Sequence, residues 1–410
     1  MAEEESEQTY EDDETTVDAP AEEFAAGDAG DGGAEDDGRR LPPARTFKEW
    51  LGGAPLSREL ALLFGLVLPA MLLCANMWRV HTFTVDDSYI SFRYARNLAR
   101  GLGLVYNAGE HIEGYTNFLW TVMLAGGIKL GVDPDVLSKL MGAASALGAL
   151  GLTYALSARL APYRTLPCVA TWLLASTVVF TGYAVFGLET IFFVCLILGG
   201  TYLFLRETAH ILTPDRAGDE RGDDGAFPWS GVVFGIAVLT RPEAPMYVGI
   251  LALFLGRHFF ARQNLVRGAL FCLLWAPLIA FRHAYYGGWI FPNTASAKTG
   301  NLEGQLNAGT AYIQNYINHA GPVIWLALLG IGIAVVKQRR DLLAIAAITF
   351  AVLGYVILVG GDWMKYFRFL APFEPFCFLL VDVGARRAVD RRDPATGVAM
   401  ALFAVAVGAH

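Results

Sequence analysis

Long runs without a single charged residue recur along this chain, and they limit its possible folds more than any other feature. They lie at 60–78, 140–158, 165–188, 190–205, 268–281, 320–336 and 342–361. Several approach the roughly 20 residues needed to cross the hydrocarbon core of a bilayer. Charged residues make up only 17% of the 410 positions, whereas ordinary soluble domains carry about 25%. The expected fold is all-α: a polytopic helical membrane protein. A soluble enzyme, a secreted disulfide scaffold and a nucleic-acid-binding module are excluded.

The net charge of −8 sums two opposite regions. Residues 1–40 hold 16 acidic residues against two arginines, so the remainder of the chain is net basic. An acidic stretch without apolar periodicity cannot bury enough surface to offset its ordering entropy. Residues 1–45 are therefore expected to form a disordered cytoplasmic tail, ahead of a transmembrane domain over 59–410. The tail lacks the basic n-region of a signal peptide, so the 60–78 run is expected to act as an uncleaved anchor. The five cysteines all sit in apolar runs, without metal spacing and in odd number, which fits packing rather than disulfides.

Charge also orders the topology. Arg39, Arg40, Arg45, Lys48 and Arg58 precede the first apolar run and place the N-terminus in the cytoplasm by the positive-inside rule. The loop over 79–114 is then outside. Beyond Glu189, the loops 206–227, 257–267, 337–340 and 386–392 carry 13 Lys/Arg, while the alternating set 241–243, 282–319 and 361–368 carries 5. The richer set belongs in the cytoplasm. Of twelve apolar segments, one early segment must then fail to cross. The 115–130 stretch, short and ending near Lys129, is the weakest span. About eleven crossings follow, with a second outer loop over 282–320.

This arrangement gathers chemistry at one face. Val85-Asp86-Asp87-Ser88 follows the first helix, and two adjacent carboxylates repel one another and are costly to desolvate. Their plainer reading is a helix cap, and both readings hold together if Asp87 or Ser88 caps while Asp86 points at substrate. The 89–99 segment repeats Ile90, Tyr94 and Leu98 and should lie on the surface as an amphipathic helix. Its arginines suit lipid headgroups or an anionic lipid-linked substrate. Glu113 lies in a polar, Gly-bounded loop, and Gly187-Leu188-Glu189 sets one carboxylate between long apolar runs. Arg241-Pro242-Glu243 is a tight turn whose two charges could simply pair. Lys298 follows an aromatic, Gly- and Pro-bearing loop. Asp362, Lys365 and Arg368 follow two glycines at a helix end, where an Arg fork suits phosphate or merely snorkels.

These motifs, in this order, resemble the GT-C fold glycosyltransferases that use polyprenyl-phosphate sugars. The nearest resemblance is to the actinobacterial terminal β-(1→2) arabinofuranosyltransferases and their bacterial relatives. It rests on Asp86-Asp87, the Arg96–Gly101 run, Asn107–Glu110, Gly187–Glu189, Arg241–Glu243 and Tyr285–Lys298, spread over about residues 60–375. Where that family has Glu-Ala-Asn-Thr-Ser, this chain reads Glu113-Gly-Tyr-Thr-Asn117, which bears on acceptor recognition. Members usually carry a further outer C-terminal domain. Its absence, and a last apolar run of only 398–408, give the expectation of a truncated C-terminus.

The resemblance implies a bacterial plasma-membrane enzyme for cell-envelope glycans. It would take sugar from a polyprenyl-phosphate donor to an extracytoplasmic glycan or lipid acceptor, among membrane lipids and without nucleic acid. Asp86 would be the general base, supported by Asp87, and the displacement would invert the anomeric centre. Lys298 and Arg368, with Arg241, would hold the departing phosphate, while Glu113, Glu189, Glu243 and Asp362 complete the site. A divalent Mg or Mn on Asp86, Asp87 and Glu189 is a further option. The alternatives are a transporter or lipid flippase, or an inactive scaffold of the same fold. No internal repeat of the kind transporters carry is visible.

Overall fold

The computed structural model describes residues 57–161, 166–214, 227–287 and 301–390, the last four of these by backbone alone. The acidic segment 1–45, Lys298 and the run 398–408 fall outside the described residues. Among those described, the chain is helical and contains no strand. Six stretches are long and apolar enough to cross a membrane. They are Arg58–Val80 (α1), Pro134–Leu160 (α4), Thr190–Glu207 (α7), Arg262–Tyr286 (α10), Leu302–Val336 and Arg340–Leu358 (α13). The fifth joins α11 (Leu302–Ala320) to α12 (Ala327–Val336) through a 3-10 turn. Between them lie α2 (Ser88–Ala99), α3 (Phe118–Lys129), α5 (Val169–Ser176) and α6 (Val178–Val185). Further shorter helices are α8 (Trp229–Thr240) and α9 (Ala244–Leu253), and α14 (Phe373–Asp390) closes the described chain. The expected eleven crossings would need several of these shorter helices as well as the six. Within the expected second outer loop over 282–320, Asn301 accepts a bond from the Glu303 N–H and starts α11.

Local chemistry shapes α1. Pro69 has no N–H, so the ladder opens around it and a π turn forms over Leu63–Val67. The freed carbonyls are satisfied from α5: Thr171 Oγ1 donates to Gly65 O at 2.6 Å and Trp172 Nε1 to Phe64 O at 2.7 Å. Lipid would leave those groups bare, so the partner helix is what makes the distortion tolerable. Helix α11 meets α13 at similar closeness. A methyl placed on Gly309 would lie 2.5 Å from the Ile357 carbonyl oxygen.

Polar contacts sort the elements between two ends. At one, Thr84 Oγ1 donates to Asp135 Oδ1 at 2.7 Å and the Val85 N–H donates to Phe186 O at 3.1 Å. At the other, Arg159 reaches Leu205 O, Arg339 reaches Leu160 O and Arg386 reaches Ala161 O, all within 3.0 Å. Asn117, just before α3, bonds Glu189, and Asp135, just after it, bonds Thr84. The residues that flank α3, Asn117 and Asp135, are thus both tied at this end.

Helix α2 buries its expected stripe and a second face besides. Ser88, Ser91, Phe92, Tyr94 and Ala95 are its buried residues. Phe92 and Ala95 pack with Trp120 and Leu124 of α3, while Ile90, Tyr94 and Leu98 pack against Leu104 and Tyr115. It is wedged between two apolar clusters, which leaves Tyr89, Arg93, Arg96 and Arg100 exposed.

Candidate functional site

The step from Asp86 to Asp87 is stitched to a distant turn. Ser88 Oγ donates to Phe186 O at 2.9 Å, across 98 residues, beside the Val85 bond to the same carbonyl. Gly187 follows with φ at 94°, a left-handed conformation that favours glycine. A methyl there would also come within 2.8 Å of Ser88 Oγ. Asp87 occupies the N-cap position of α2, yet its side chain makes no capping bond. Asp86 Oδ1 accepts instead from the Asp87 N–H at 2.9 Å. The expected cap by Asp87 or Ser88 is not formed, because Ser88 turns to Phe186 and Asp87 faces Arg368. Asp86 is exposed and Asp87 half-buried.

Arg368 arrives on a constrained loop. Gly360 and Gly361 have φ of 79° and 74°, and Tyr366 and Phe367 hold φ of 63° and 52° without being glycine. Two such residues in succession cost about 1–3 kcal/mol each and persist only where their surroundings impose them. Tyr183 supplies part of that constraint by donating its hydroxyl to Lys365 O at 2.5 Å. The guanidinium then meets Asp362 through Nε at 2.8 Å and Asp87 through NH1 at 3.8 Å, and rests over the Phe369 ring at 5.1 Å. The Asp362 side chain is fully buried, and its Oδ1 has no hydrogen-bond partner among the described residues. Partial burial raises the proton affinity of Asp87, with Arg368 opposing and Asp86, Asp362 and Glu189 adding to the rise. Lys365 is exposed.

Behind this layer lies a buried one. Glu189 accepts from Asn117 Nδ2 at 2.7 Å and from Arg241 NH1 at 3.1 Å. Arg241 Nε also donates to Glu243 Oε1 at 2.5 Å, so the pairing within the Arg241-Pro242-Glu243 turn is made. Its guanidinium sits over Phe193 and Phe369 and is shared between two carboxylates, which occupies the fork expected for phosphate. Asn117 is further bonded to Ser91 of α2 and Thr121 of α3. It had no prominence in the sequence beyond closing the departing Glu113–Asn117 motif, but it ties α2 and α3 to Glu189.

Glu113 lies to one side of these layers. Arg282 Nε lies 2.7 Å from its Oε1, both side chains nearly buried. Burial raises the proton affinity of Glu113, and Arg282 opposes that shift. Tyr94 OH donates to Ile112 O and accepts from the Gly114 N–H, while Tyr286 OH donates to Leu104 O at 2.8 Å. The Glu113 loop is thus held inside a tyrosine frame. Arg282 went unread in the sequence, where its only signal was a single cation closing the uncharged run 268–281.

The structure brings Asp86, Asp87, Glu189, Arg241, Glu243, Asp362 and Arg368 to one end, with Glu113 beside them. Lys298 lies outside the described residues. Among the described residues, no three His, Cys, Asp or Glu side chains form a metal-binding group. Asn117 and Arg241 each bond one Glu189 oxygen, so a Mg or Mn ion on Asp86, Asp87 and Glu189 would have to compete with them. The arrangement can accept a proton at an exposed carboxylate and offer an oriented guanidinium to an anion beside it.

No protein-family model matches the chain. A terminal β-(1→2)-arabinofuranosyltransferase of Corynebacterium glutamicum is 30% identical over 343 residues, covering 75% of this chain and 48% of the relative. One from Mycobacterium tuberculosis is 28% identical over 340 residues, covering 73% of this chain and 52% of the relative. The chain spans about half the length of the curated relatives it matches. The likeness read from the ordered motifs is thus a likeness along most of the chain.

Proposed function

We propose that this chain, a homologue of terminal β-(1→2)-arabinofuranosyltransferases, is a membrane glycosyltransferase whose donor is a polyprenyl-phosphate sugar. The reading is carried by one observation: an exposed carboxylate, its half-buried neighbour and an oriented arginine meet at one end of a helical bundle. An acceptor hydroxyl would lose its proton to Asp86 as its oxygen bonds the anomeric carbon. The bond from that carbon to the phosphate oxygen breaks, and the charge left on phosphate is met by Arg368. Asp87 would support the base. Given the relatives' names, arabinofuranose is the first sugar to try. The positive-inside argument supports an extracytoplasmic site in a bacterial plasma membrane, with acceptors among envelope glycans or lipids.

Single displacement inverts the anomeric centre, and a product of retained configuration would instead make one carboxylate the nucleophile. The test is transfer in proteoliposomes holding the full chain, a polyprenyl-phosphate arabinofuranose and a synthetic arabinofuranoside acceptor. A new glycosidic bond supports the reading. Efficient transfer from a nucleotide sugar without lipid carrier would overturn the donor assignment. Movement of lipid or solute with no new bond would transfer support to a transporter.

A further inference from the structure

We propose that Asp362 is a positioning residue that holds Arg368 as a shared cation, which Asp87 retains in the empty site and the donor phosphate takes over. This rests on the glycosyltransferase reading and adds an exchange of ion pairs to it. The geometry is asymmetric. Arg368 makes a close contact to Asp362, at 2.8 Å, and a loose one to Asp87, at 3.8 Å. Asp362 is fully enclosed, while Asp87 keeps 29% of its side-chain surface open and Arg368 12%. One partner therefore serves as a fixed anchor, and the other lies on the side from which a ligand would come.

The loop explains why the arrangement is held rather than relaxed. Left-handed Tyr366 and Phe367, the Tyr183 hydroxyl on Lys365 O and the Phe369 ring beneath the guanidinium fix where the side chain starts and how its plane lies. Gly361 lets the loop pass Tyr312, whose side chain a methyl would meet at 2.8 Å. With Nε committed to Asp362, the NH1 edge is left for Asp87 or for an incoming oxygen. Charged groups facing Asp87 are Arg368, Asp86, Asp362 and Glu189, with Tyr183 close by. Arg368 is the one cation among them. When phosphate draws it off, Asp87 loses the one opposing charge it has among the described residues and becomes a stronger proton acceptor next to Asp86.

The test measures binding of a polyprenyl monophosphate to the full chain in detergent micelles, for the wild type, four single charge-removing or geometry-changing variants and the Asp362→Asn/Arg368→Lys double variant. Asp87→Asn should tighten binding by roughly fivefold, the scale of a partly exposed ion pair. Asp86→Asn removes an equal charge that does not engage Arg368, so it should tighten binding distinctly less. Arg368→Lys should weaken binding, and Asp362→Asn should abolish the difference between Arg and Lys at 368, since the fork is then no longer oriented. Equal effects of Asp86→Asn and Asp87→Asn would reduce the matter to general repulsion and overturn the exchange. Additive Asp362 and Arg368 effects would overturn the positioning role. Should Asp362→Asn fail to fold, the two Asp variants on the exposed loop decide alone. Absence of binding by the wild type would instead count against the glycosyltransferase reading itself.

Discussion

The two ends of the bundle use the same kinds of residue to opposite effect. Away from the site, Asp382 is fully buried and accepts from the Val169 N–H, Ser157 and Arg386, while Arg386 also reaches Ala161 O. Arg339 with Asp341, and Arg267 with Glu207 and Ser230, form comparable closed sets. Each of these three arginines has its carboxylate and a backbone or hydroxyl partner besides. At the site end Asp86, Asp87, Asp362, Glu189 and Glu243 face Arg241 and Arg368. Asp362 Oδ1 and Glu243 Oε2 are buried without hydrogen-bond partners among the described residues. Closed pairs hold helices together, whereas buried carboxylate oxygens left without a partner are a cost that folding alone would not retain.

The largest expected effect breaks the closed end. Asp382→Ala leaves Arg386 buried without its carboxylate and should cost about 3–5 kcal/mol of stability. Thermal unfolding in detergent should reveal it, with transfer per folded molecule little changed. Asp86→Asn should do the reverse, lowering transfer on the order of 100-fold with no comparable loss of stability, because an amide cannot accept the proton. Near-normal transfer by that variant would remove Asp86 from the mechanism and leave Asp87 or Glu189 to be tried. Arg368→Ala comes next, at about tenfold or more in the rate of transfer, with Arg368→Lys milder because it keeps charge but loses the planar fork.

The smallest effect is one of pH. Burial raises the Asp87 proton affinity, so its acid form persists above the ordinary aspartate range near pH 4. If its ionised form supports the base, transfer should fall on acidification at a pH above that range. Asp87→Asn should remove this limb. The sign for stability is opposite: a carboxyl that binds its proton more tightly when folded favours folding at low pH and loses that contribution as pH rises through its folded value. Rate profiles and melting profiles measured on one preparation separate the two.

Much of this contrast was legible in the sequence because charge is scarce there. A lone acid such as Glu189 between apolar runs, or Asp362 after two glycines, must face protein or water, and topology then sends such residues to one place. The apolar runs likewise marked the helices. What stayed hidden was partnership. Arg282 and Glu113, or Ser157 and Asp382, are far apart in sequence and carry no local signature of each other. The spacing of Asp382 and Arg386 by four residues inside an apolar stretch was the readable hint of the closed end. The stripe on α2 accounts for the cluster of Ile90, Tyr94 and Leu98 but not for the second one with α3, since periodicity assumes a single buried face.

The approach of α11 to α13 at Gly309 sets the tolerance of the site. Gly309 bears on the last turn of α13, from which the loop carrying Asp362 and Arg368 departs. Backbone lies on backbone there, with no side chain able to change rotamer and absorb an error. Such a contact works as a machinist's stop: it fixes distance absolutely and admits nothing between the faces. For the reach from Arg368 to Asp87, the damaging change at that position would be the gain of a single carbon, since there is nothing to lose.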